Sequence, residues 1–380
     1  MNYRRLGKTD LMVSEIGFGA EWMEDKPVEE VVEITHRFAA AGVNILDCWM
    51  PNPEVRSALG EGIKGQRDHW IVQGHIGATW QDGQYVRTRD MDKVRPAFED
   101  LLARLGTDHV ELGMIHYVDD VDEFERVISG EFMTYVRELK AAGTIGHVGL
   151  STHNPNVALL AAQQGEIEAI MFSVNPAFDL LPAQASLDDA FTFDYADELG
   201  GMDPARAELY ALCEREGVGL TVMKGYAGGR LFSAEASPFG VAMTPTQCVH
   251  YALTRPAVAS ILAGFATPSH VADACAYEQA TDEERDYASV LAGAPKHAYF
   301  GQCTYCGHCA PCPSGIDIAL VNKFYDLATM QDEVPASVRA HYEALDAAGA
   351  DCIACQSCEP RCPFDVPIAE RMEKAATLFA

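Results

Sequence analysis

The chain has 380 residues, 48% of them hydrophobic, and carries 56 acidic against 28 basic side chains for a formal charge of −28. That length suits one large domain and a small one. The acidity argues against nucleic acid and anionic membranes as partners, because both are held by clustered Lys and Arg. The opening MNYRRLGKTDLMVSEIG has basic residues but no apolar stretch of the signal-peptide kind, and no run of about 18 apolar residues is present to span a membrane. A cytoplasmic protein is expected.

Residues 1–275 alternate short apolar runs with longer amphipathic ones. Predicted strands are Val13–Gly19, Asn44–Cys48, Trp70–Ile76, Val110–His116, His147–Ser151, Ala169–Val174, Gly219–Lys224 and Ala259–Gly264. Predicted helices between them cover Pro27–Ala41, Pro53–Lys64, Lys93–Leu105, Phe124–Ala142, Pro155–Gln164, Pro204–Glu216 and Pro245–Leu253, with a last one opening at Pro268. Strands this apolar are expected where both faces are buried. Eight such units close most simply into an α/β fold of the (β/α)8 TIM-barrel type. The acidic, aromatic-bearing insertion Phe178–Asp203 reads as a lid, a docking surface for the tail, or a solvated loop.

A (β/α)8 barrel puts its chemistry at the C-terminal ends of its strands. Those ends carry Asp47, His75, His116, Ser151-Thr152 and Lys224. A lone histidine there is more often a structural hydrogen-bonder. Asp47, His75 and His116 on one rim point instead to an acid–base group.

Residues 276–300 are predicted to form a charged helical linker. The tail, 301–380, holds two cysteine runs: Cys303, Cys306, Cys309 and Cys312-Pro313, then Cys352, Cys355, Cys358 and Cys362-Pro363. Three thiolates at this spacing wrap one face of an iron–sulfur cube. The Cys of the Cys-Pro pair ligates the other cube in two-cluster ferredoxins. One [4Fe–4S] cluster is therefore assigned to Cys303, Cys306, Cys309 and Cys362, and the other to Cys352, Cys355, Cys358 and Cys312. The first run is one residue short of the usual bacterial spacing. Zinc fits less well, since neither run carries a His at finger spacing; disulfides need an oxidising compartment. Cys48, Cys213, Cys248 and Cys275 read as small buried hydrophobes. Ile316–Gln331, Ser337–Ala348 and Ile368–Leu378 read as helices, so the tail is expected to be a small α-helical ferredoxin-like domain.

The segments YRRLGKTDLMVSEIGFG, NILD, LGTDHVELGMIH, GHVGLSTHNP and VMKGYAGGRL resemble the aldo/keto reductases, and the cysteine runs point to the branch with a C-terminal ferredoxin domain. The resemblance implies NADPH-dependent carbonyl reduction by a tetrad of Asp, Tyr, Lys and His. Asp47 and His116 match the Asp and the His. The Lys position is His75, and the Tyr position falls on Asn52. The residues that hold the nicotinamide ring are altered too: Met223 stands for an aromatic, Met171 for a Gln, and Ser151-Thr152 for a Ser-Asn pair. Gly228-Gly229-Arg230 and Gly264, with Lys224, remain as an implied phosphate cradle.

The expected function is thus an iron–sulfur oxidoreductase acting on a small carbonyl or unsaturated molecule. His75 beside Asp47 supplies the proton that the absent Tyr does not, and His116 orients the substrate oxygen. NADP(H) follows from the resemblance. A flavin is the alternative, since it bridges hydride and single-electron chemistry. A ferredoxin or flavoprotein would be the redox partner. The reading from another class is a non-catalytic electron-transfer or scaffold subunit with a degenerate site.

Overall fold

The computed structural model describes residues 1–186, 189, 201–264, 267–296, 298–331 and 333–380. A hairpin of β1 (Tyr3–Arg5) and β2 (Met12–Ser14) comes first. Then follow β3 (Ile16–Gly19), β4 (Ile45–Cys48), β5 (Ile71–Ile76), a second hairpin of β6 (Ala78–Gln81) and β7 (Gln84–Arg87), β8 (Val110–Ile115), β9 (Ile145–Thr152), β10 (Ala169–Ser173), β11 (Gly219–Met223) and β12 (Val258–Gly264). Strands β3, β4, β5, β8, β9, β10, β11 and β12 pair in parallel in that order, and β12 closes on β3. The fold is the expected α/β TIM barrel.

The barrel interior is filled in layers. Leu6 and Val13 of the first hairpin pack with Ile45, Leu112, Met114, Ala169, Met171, Ala259 and Leu262, an apolar layer that fills the barrel and reaches the site cavity at Met171 and Leu262. Above this apolar layer, the same strand alternation that points Ile45 inward points Asp47 inward as well. Tight packing explains Gly149: a Cβ there would lie 2.3 Å from the Met114 sulfur.

Three expectations need correction. The single helix predicted over 124–142 is two, Val121–Ser129 and Glu131–Ala141, because the chain turns extended at Gly130, where a Cβ would meet the Arg126 carbonyl at 2.6 Å. The linker predicted as one helix over 276–300 is broken into Ala276–Gln279, Asp282–Arg285 and Tyr287–Ala292. Its breaks are caps: Thr281 forms a capping box, and the Asp286 side chain accepts from the Ser289 N–H. The second hairpin, β6–β7, was not anticipated. It carries Asp82-Gly83 at its turn, with both residues at positive φ. In the insertion predicted over 178–203, residues 187, 188 and 190–200 lie outside the described residues.

The tail carries helices Ile318–Thr329, Ala336–Glu343 and Ile368–Leu378 and, among the described residues, no strand. Its junction with the barrel is a buried polar knot. Asp179, fully buried, accepts from the Tyr210 hydroxyl (2.6 Å) and the Tyr251 hydroxyl (2.7 Å) and faces Arg206 at 3.5 Å. Tyr299 lies 3.0 Å from Tyr251 and donates to the Pro176 carbonyl at 2.7 Å. Burial, and then the Asp179 charge, hold the Tyr210 phenol well above its ordinary pKa, so it stays a donor.

Removing this carboxylate strands a buried guanidinium. Asp179→Ala is expected to lower stability by about 3–5 kcal/mol, read from the midpoint of urea unfolding; a change under about 1 kcal/mol would mean that the knot is solvent-compensated.

Candidate active site and cluster cavities

A cavity of about 510 Å³ opens at the C-terminal ends of the barrel strands. Asp47 is the last but one residue of β4, His75 lies near the end of β5, and His116 follows β8. All three line this cavity, together with Tyr85 from the unanticipated hairpin. The walls are largely apolar: Trp22, Trp49, Met171, Met223, Tyr226, Phe232 and Leu262.

The four polar groups form one hydrogen-bonded line. Asp47 Oδ1 lies 2.9 Å from His75 Nε2, His75 Nδ1 lies 2.8 Å from His116 Nδ1, and His116 Nε2 lies 2.8 Å from the Tyr85 hydroxyl. Gln73 adds a 3.1 Å donation to the same Asp47 oxygen. Donor and acceptor roles follow from the network. Asp47 as a carboxylate only accepts, so His75 Nε2 carries hydrogen. With both rings neutral, His75 Nδ1 then accepts from His116 Nδ1–H, and His116 Nε2 accepts from the Tyr85 O–H. Every donor points toward Asp47.

The surroundings fix this line. Asp47, His75 and His116 are 1, 2 and 5% exposed. Trp49 stacks on the His116 ring at 5.7 Å and 9°, and meets Tyr85 edge-on at 5.4 Å. Burial first, then the neighbouring His75 and Arg89, push the His116 pKa well below the usual imidazole range. Burial raises the Tyr85 pKa to about 12, so it is a phenol at neutral pH. Tyr117, beside His116, sits at φ 46°. Its N–H donates to Ser151 Oγ at 2.8 Å, and its carbonyl accepts from Arg87 and Arg89 at 2.7 and 3.1 Å. Such over-determined strain is common at functional rims.

Asn52, at the position where the resemblance implies a tyrosine, is elsewhere engaged. Its Oδ1 caps helix Pro53–Ile63 through the Glu54 N–H at 2.9 Å, and its amide donates to Glu24 at 3.0 Å. Tyr85 is the residue that motif reading missed. The Asp82-Gly83 turn signal between alternating residues was available to find its hairpin.

Of the predicted cofactor residues, Ser151, Lys224, Gly228, Gly229 and Gly264 line the cavity; Thr152 and Arg230 do not. The Thr152 hydroxyl is spent on Asp119 at 2.9 Å, and Arg230 Nε donates to the Ala236 carbonyl at 3.3 Å. The Gly229 N–H bonds the Tyr226 carbonyl at 2.9 Å. Gly264 is covered by an indole, for a Cβ there would lie 2.6 Å from Trp22. Lys224 pairs with Glu21 at 3.2 Å. The Thr152 hydroxyl, the Arg230 Nε, the Gly229 N–H and the Lys224 ammonium are thus each engaged within the protein.

The tail cysteines ring two small cavities. One is lined by Cys303, Cys306, Cys309 and Cys362, with Thr304, His308, Asn322 and Phe364. The other is lined by Cys312, Cys352, Cys355 and Cys358, with Ile316, Ile318, Ile353 and Met372. Arg361 holds the runs together, donating to the Cys309 and Pro311 carbonyls at 2.6 and 2.8 Å. Among the described residues no group of His, Cys, Asp or Glu is gathered as a single metal ion requires. Each hollow is bordered by four cysteines, the ligand number of a [4Fe–4S] cube. Burial raises the Cys309 thiol to about 12, so ligation there is coupled to proton loss.

Barrel, rim site and four-cysteine cavities together define a redox protein built from a TIM barrel and an iron–sulfur tail. Residues 15–247 match the aldo/keto reductase family, and residues 302–367 match a 4Fe-4S dicluster domain. The chain belongs to the aldo/keto reductase family. It is 28% identical over 188 residues to the uncharacterized oxidoreductase YqkF of Bacillus subtilis, covering 48% of this chain and 59% of that protein. It is 24% identical over 188 residues to the NADH-specific methylglyoxal reductase of Escherichia coli, covering 43% and 56%. The chain thus spans less than two thirds of the length of these relatives. In fold it is similar to the aldo-keto reductase AKR11C1 from Bacillus halodurans, with a TM-score of 0.59 and 22% identity over 75% of this chain and 94% of that one. No helix among the described residues is long and apolar enough to cross a membrane.

The depressed His116 pKa has a signed consequence. As pH falls through about 6.5, the unfolded chain takes up a proton that the folded site refuses, so stability drops on the acid side. His116→Gln removes that term. Its melting temperature should fall less than the wild type's between about pH 7 and pH 5; equal falls would mean that His116 charges in the folded state.

Proposed function

We propose that the protein is an iron–sulfur oxidoreductase that reduces a small carbonyl or unsaturated organic molecule in the barrel-mouth cavity. Two [4Fe–4S] clusters, held by the crossed cysteine sets, supply electrons one at a time when bound. The observation that carries the reading is the line Asp47–His75–His116–Tyr85, which ends in a phenol on the wall of an apolar cavity.

This line has two arrangements. In the neutral one the Tyr85 hydrogen is turned inward, onto His116. A proton placed on His75 reverses the outer half. His75 Nδ1 then donates to His116, His116 Nε2 donates to the Tyr85 oxygen, and the phenol hydrogen is released toward the cavity. When Tyr85 passes it to a substrate oxygen, the hydrogens shift one place outward and the neutral line returns. The net transfer is one proton from His75 to substrate, with Asp47 stabilising the loaded form. Its Tyr85 end meets substrate, where the sequence had His75 itself as donor. General acid catalysis of this kind contributes typically 10²–10⁴-fold.

The Lys224 pair with Glu21, the Arg230 bond to Ala236 and the indole over Gly264 favour electrons arriving through the tail over a hydride from a bound dinucleotide. They also favour the scaffold reading, in which the barrel turns over nothing. A buried acid–base line opening on a cavity argues for catalysis. Turnover separates the two. Anaerobic protein is assayed against a panel of small carbonyls and enones, methylglyoxal included, with reduced methyl viologen, NADH or NADPH as donor. Oxidation of any donor that depends on a panel member supports the enzyme. Electron transfer to an added ferredoxin with no panel member consumed supports the scaffold.

Four outcomes are expected. Anaerobic protein should hold about eight iron and eight acid-labile sulfide per chain, as two cubanes require; near-zero iron would sink the cluster reading. In reduced Cys362→Ala, paramagnetic resonance should show loss of the cluster on Cys303, Cys306 and Cys309, with the Cys352, Cys355 and Cys358 cluster intact. The reverse pattern would refute the crossing. Tyr85→Phe and His75→Ala should each lower turnover about 10²-fold or more. His75→Lys should be no better than His75→Ala, because an ammonium of pKa about 10.4 does not release its proton at neutral pH. Wild-type turnover in His75→Lys, or in Tyr85→Phe, would remove the line from the mechanism.

A further inference from the structure

The two cysteine cavities differ in what surrounds them. The Cys312, Cys352, Cys355 and Cys358 cavity is lined by no charged side chain. It sits at the surface: Cys355 is exposed, and the neighbouring Ile353 is 68% exposed. The Cys303, Cys306, Cys309 and Cys362 cavity lies against the barrel. The carbonyl of Thr304, between two of its cysteines, accepts from the Tyr287 hydroxyl at 2.6 Å and from Arg255 Nη2 at 2.5 Å.

Arg255 is unusual. It follows the last turn of the barrel helix Pro245–Leu253 and is 2% exposed. Its guanidinium lies over the Tyr251 ring at 4.5 Å and faces the Tyr305 ring at 5.4 Å. Its other polar contacts are neutral oxygens, Thr254 at 3.0 Å and Tyr287 at 3.4 Å, and its Nε has no partner. Among the described residues no carboxylate pairs with it within salt-bridge range. The nearby acids are taken: Asp326 by Arg371 at 2.5 Å, Asp179 by Arg206 at 3.5 Å, and Asp286 by His308 at 3.0 Å. The Asp179 charge favours the Arg255 cation from beyond contact distance, but a buried cation that no counter-ion touches is costly. Its charge calls for a negative body nearby, and the body next to Thr304 is the cavity ringed by four cysteines.

A cube on four thiolates is anionic, and reduction adds one more negative charge. A fixed positive charge beside it stabilises the reduced form and raises its potential. Burial alone acts the other way, since a desolvated cluster resists added charge. Asn322 works with Arg255. It is 1% exposed, its Oδ1 accepts from Arg371 Nε at 2.6 Å, and it lines the cavity. Arg361, within the second run, donates to the Cys309 and Pro311 carbonyls of the first and lines neither cavity.

We propose that Arg255 tunes the barrel-side cluster: its buried charge, which no carboxylate among the described residues contacts, sets the Cys303, Cys306, Cys309 and Cys362 cluster at the higher potential. That cluster is the electron-accepting end of the pair, and the solvent-side cluster is the port. This rests on the cluster reading above. Iron content separates the two, because iron-free protein sinks that reading before Arg255 is tested. Arg255 is a positioning residue and touches no substrate.

The test is an anaerobic redox titration of the full-length holoprotein, followed by paramagnetic resonance. Cys355→Ala identifies the solvent-side signal by its loss. Arg255→Met should lower the potential of the barrel-side cluster and leave the other in place, while Arg255→Lys, which keeps the charge, should stay near wild type. No shift in Arg255→Met, or equal shifts of both clusters, overturns the proposal. If Arg255→Met loses iron, Arg255→Lys decides: a barrel-side potential near wild type supports tuning by charge, and a lowered one overturns it. Iron loss in both variants makes Arg255 a clamp on the Cys303–Cys306 loop and overturns the proposal as well.

Discussion

The carboxylate of Asp47, 1% exposed at the floor of the barrel mouth, orders everything polar above it. A carboxylate out of water must accept hydrogen bonds. Gln73 and His75 supply them from the next strand, β5, whose register sets Gln73 directly beside Asp47. Once His75 is bound to donate downward, His116 has only one neutral arrangement, and so has Tyr85. A single buried charge thus fixes two tautomers and the direction of a phenol hydrogen, through barrel geometry that lets Asp47, His75 and His116 project into one space. The apolar layer of Leu112, Met114 and Met171 beneath keeps water from competing for these bonds.

A second buried charge does similar work at the joint with the tail. Asp179 collects Tyr210, Tyr251 and Arg206, and Tyr251 passes the connection to Tyr299. Tyr251 also carries Arg255 on its ring face, and Arg255 reaches the Thr304 carbonyl between two cysteines. The barrel therefore grips the cysteine loop through its own helices. Where the two charges differ is in compensation: Asp179 has a guanidinium partner, and Arg255 has neutral oxygens and aromatic rings.

Much of this was readable in the sequence. Strand–helix alternation gave the closed barrel, because strands buried on both faces leave long apolar runs. The end-of-strand rule found Asp47, His75 and His116, since strand period and barrel closure together decide which side chains face the mouth. The cysteine spacing marked both runs. What stayed hidden depended on contacts distant in sequence. Tyr85 sits on a short hairpin that periodicity passes over, and only folding brings it to His116, 31 residues away. The cover of Gly264 by Trp22 is likewise invisible in a motif, because a glycine left free for a ligand and a glycine left free for an indole read the same. The breaks at Gly130 and Asp286 are local capping choices that outweighed otherwise continuous helical patterns.

Under the proposed function, the departures implied by the family resemblance would form one coordinated substitution. In the tetrad implied by resemblance, a lysine lowers the pKa of a tyrosine that lies beside it. Here the lysine position holds His75, and the tyrosine position holds a helix cap. A phenol then has to come from elsewhere, and β6–β7 brings one. Since burial raises Tyr85 to about 12, its acidity is not enhanced by its setting. In the proposed relay the line offers replacement instead: the proton leaving the phenol is made good from His116 as it departs, so no free phenolate accumulates in an apolar cavity. A hydride donor delivers its electron pair at once and needs an acid ready at that instant. Electrons arriving singly need a proton held in reserve between the two arrivals. A ring buried against a carboxylate and joined to the phenol through a second ring meets that need. Under the proposed function, the loss of the dinucleotide grip and the gain of the two-histidine line follow from the same change of electron source.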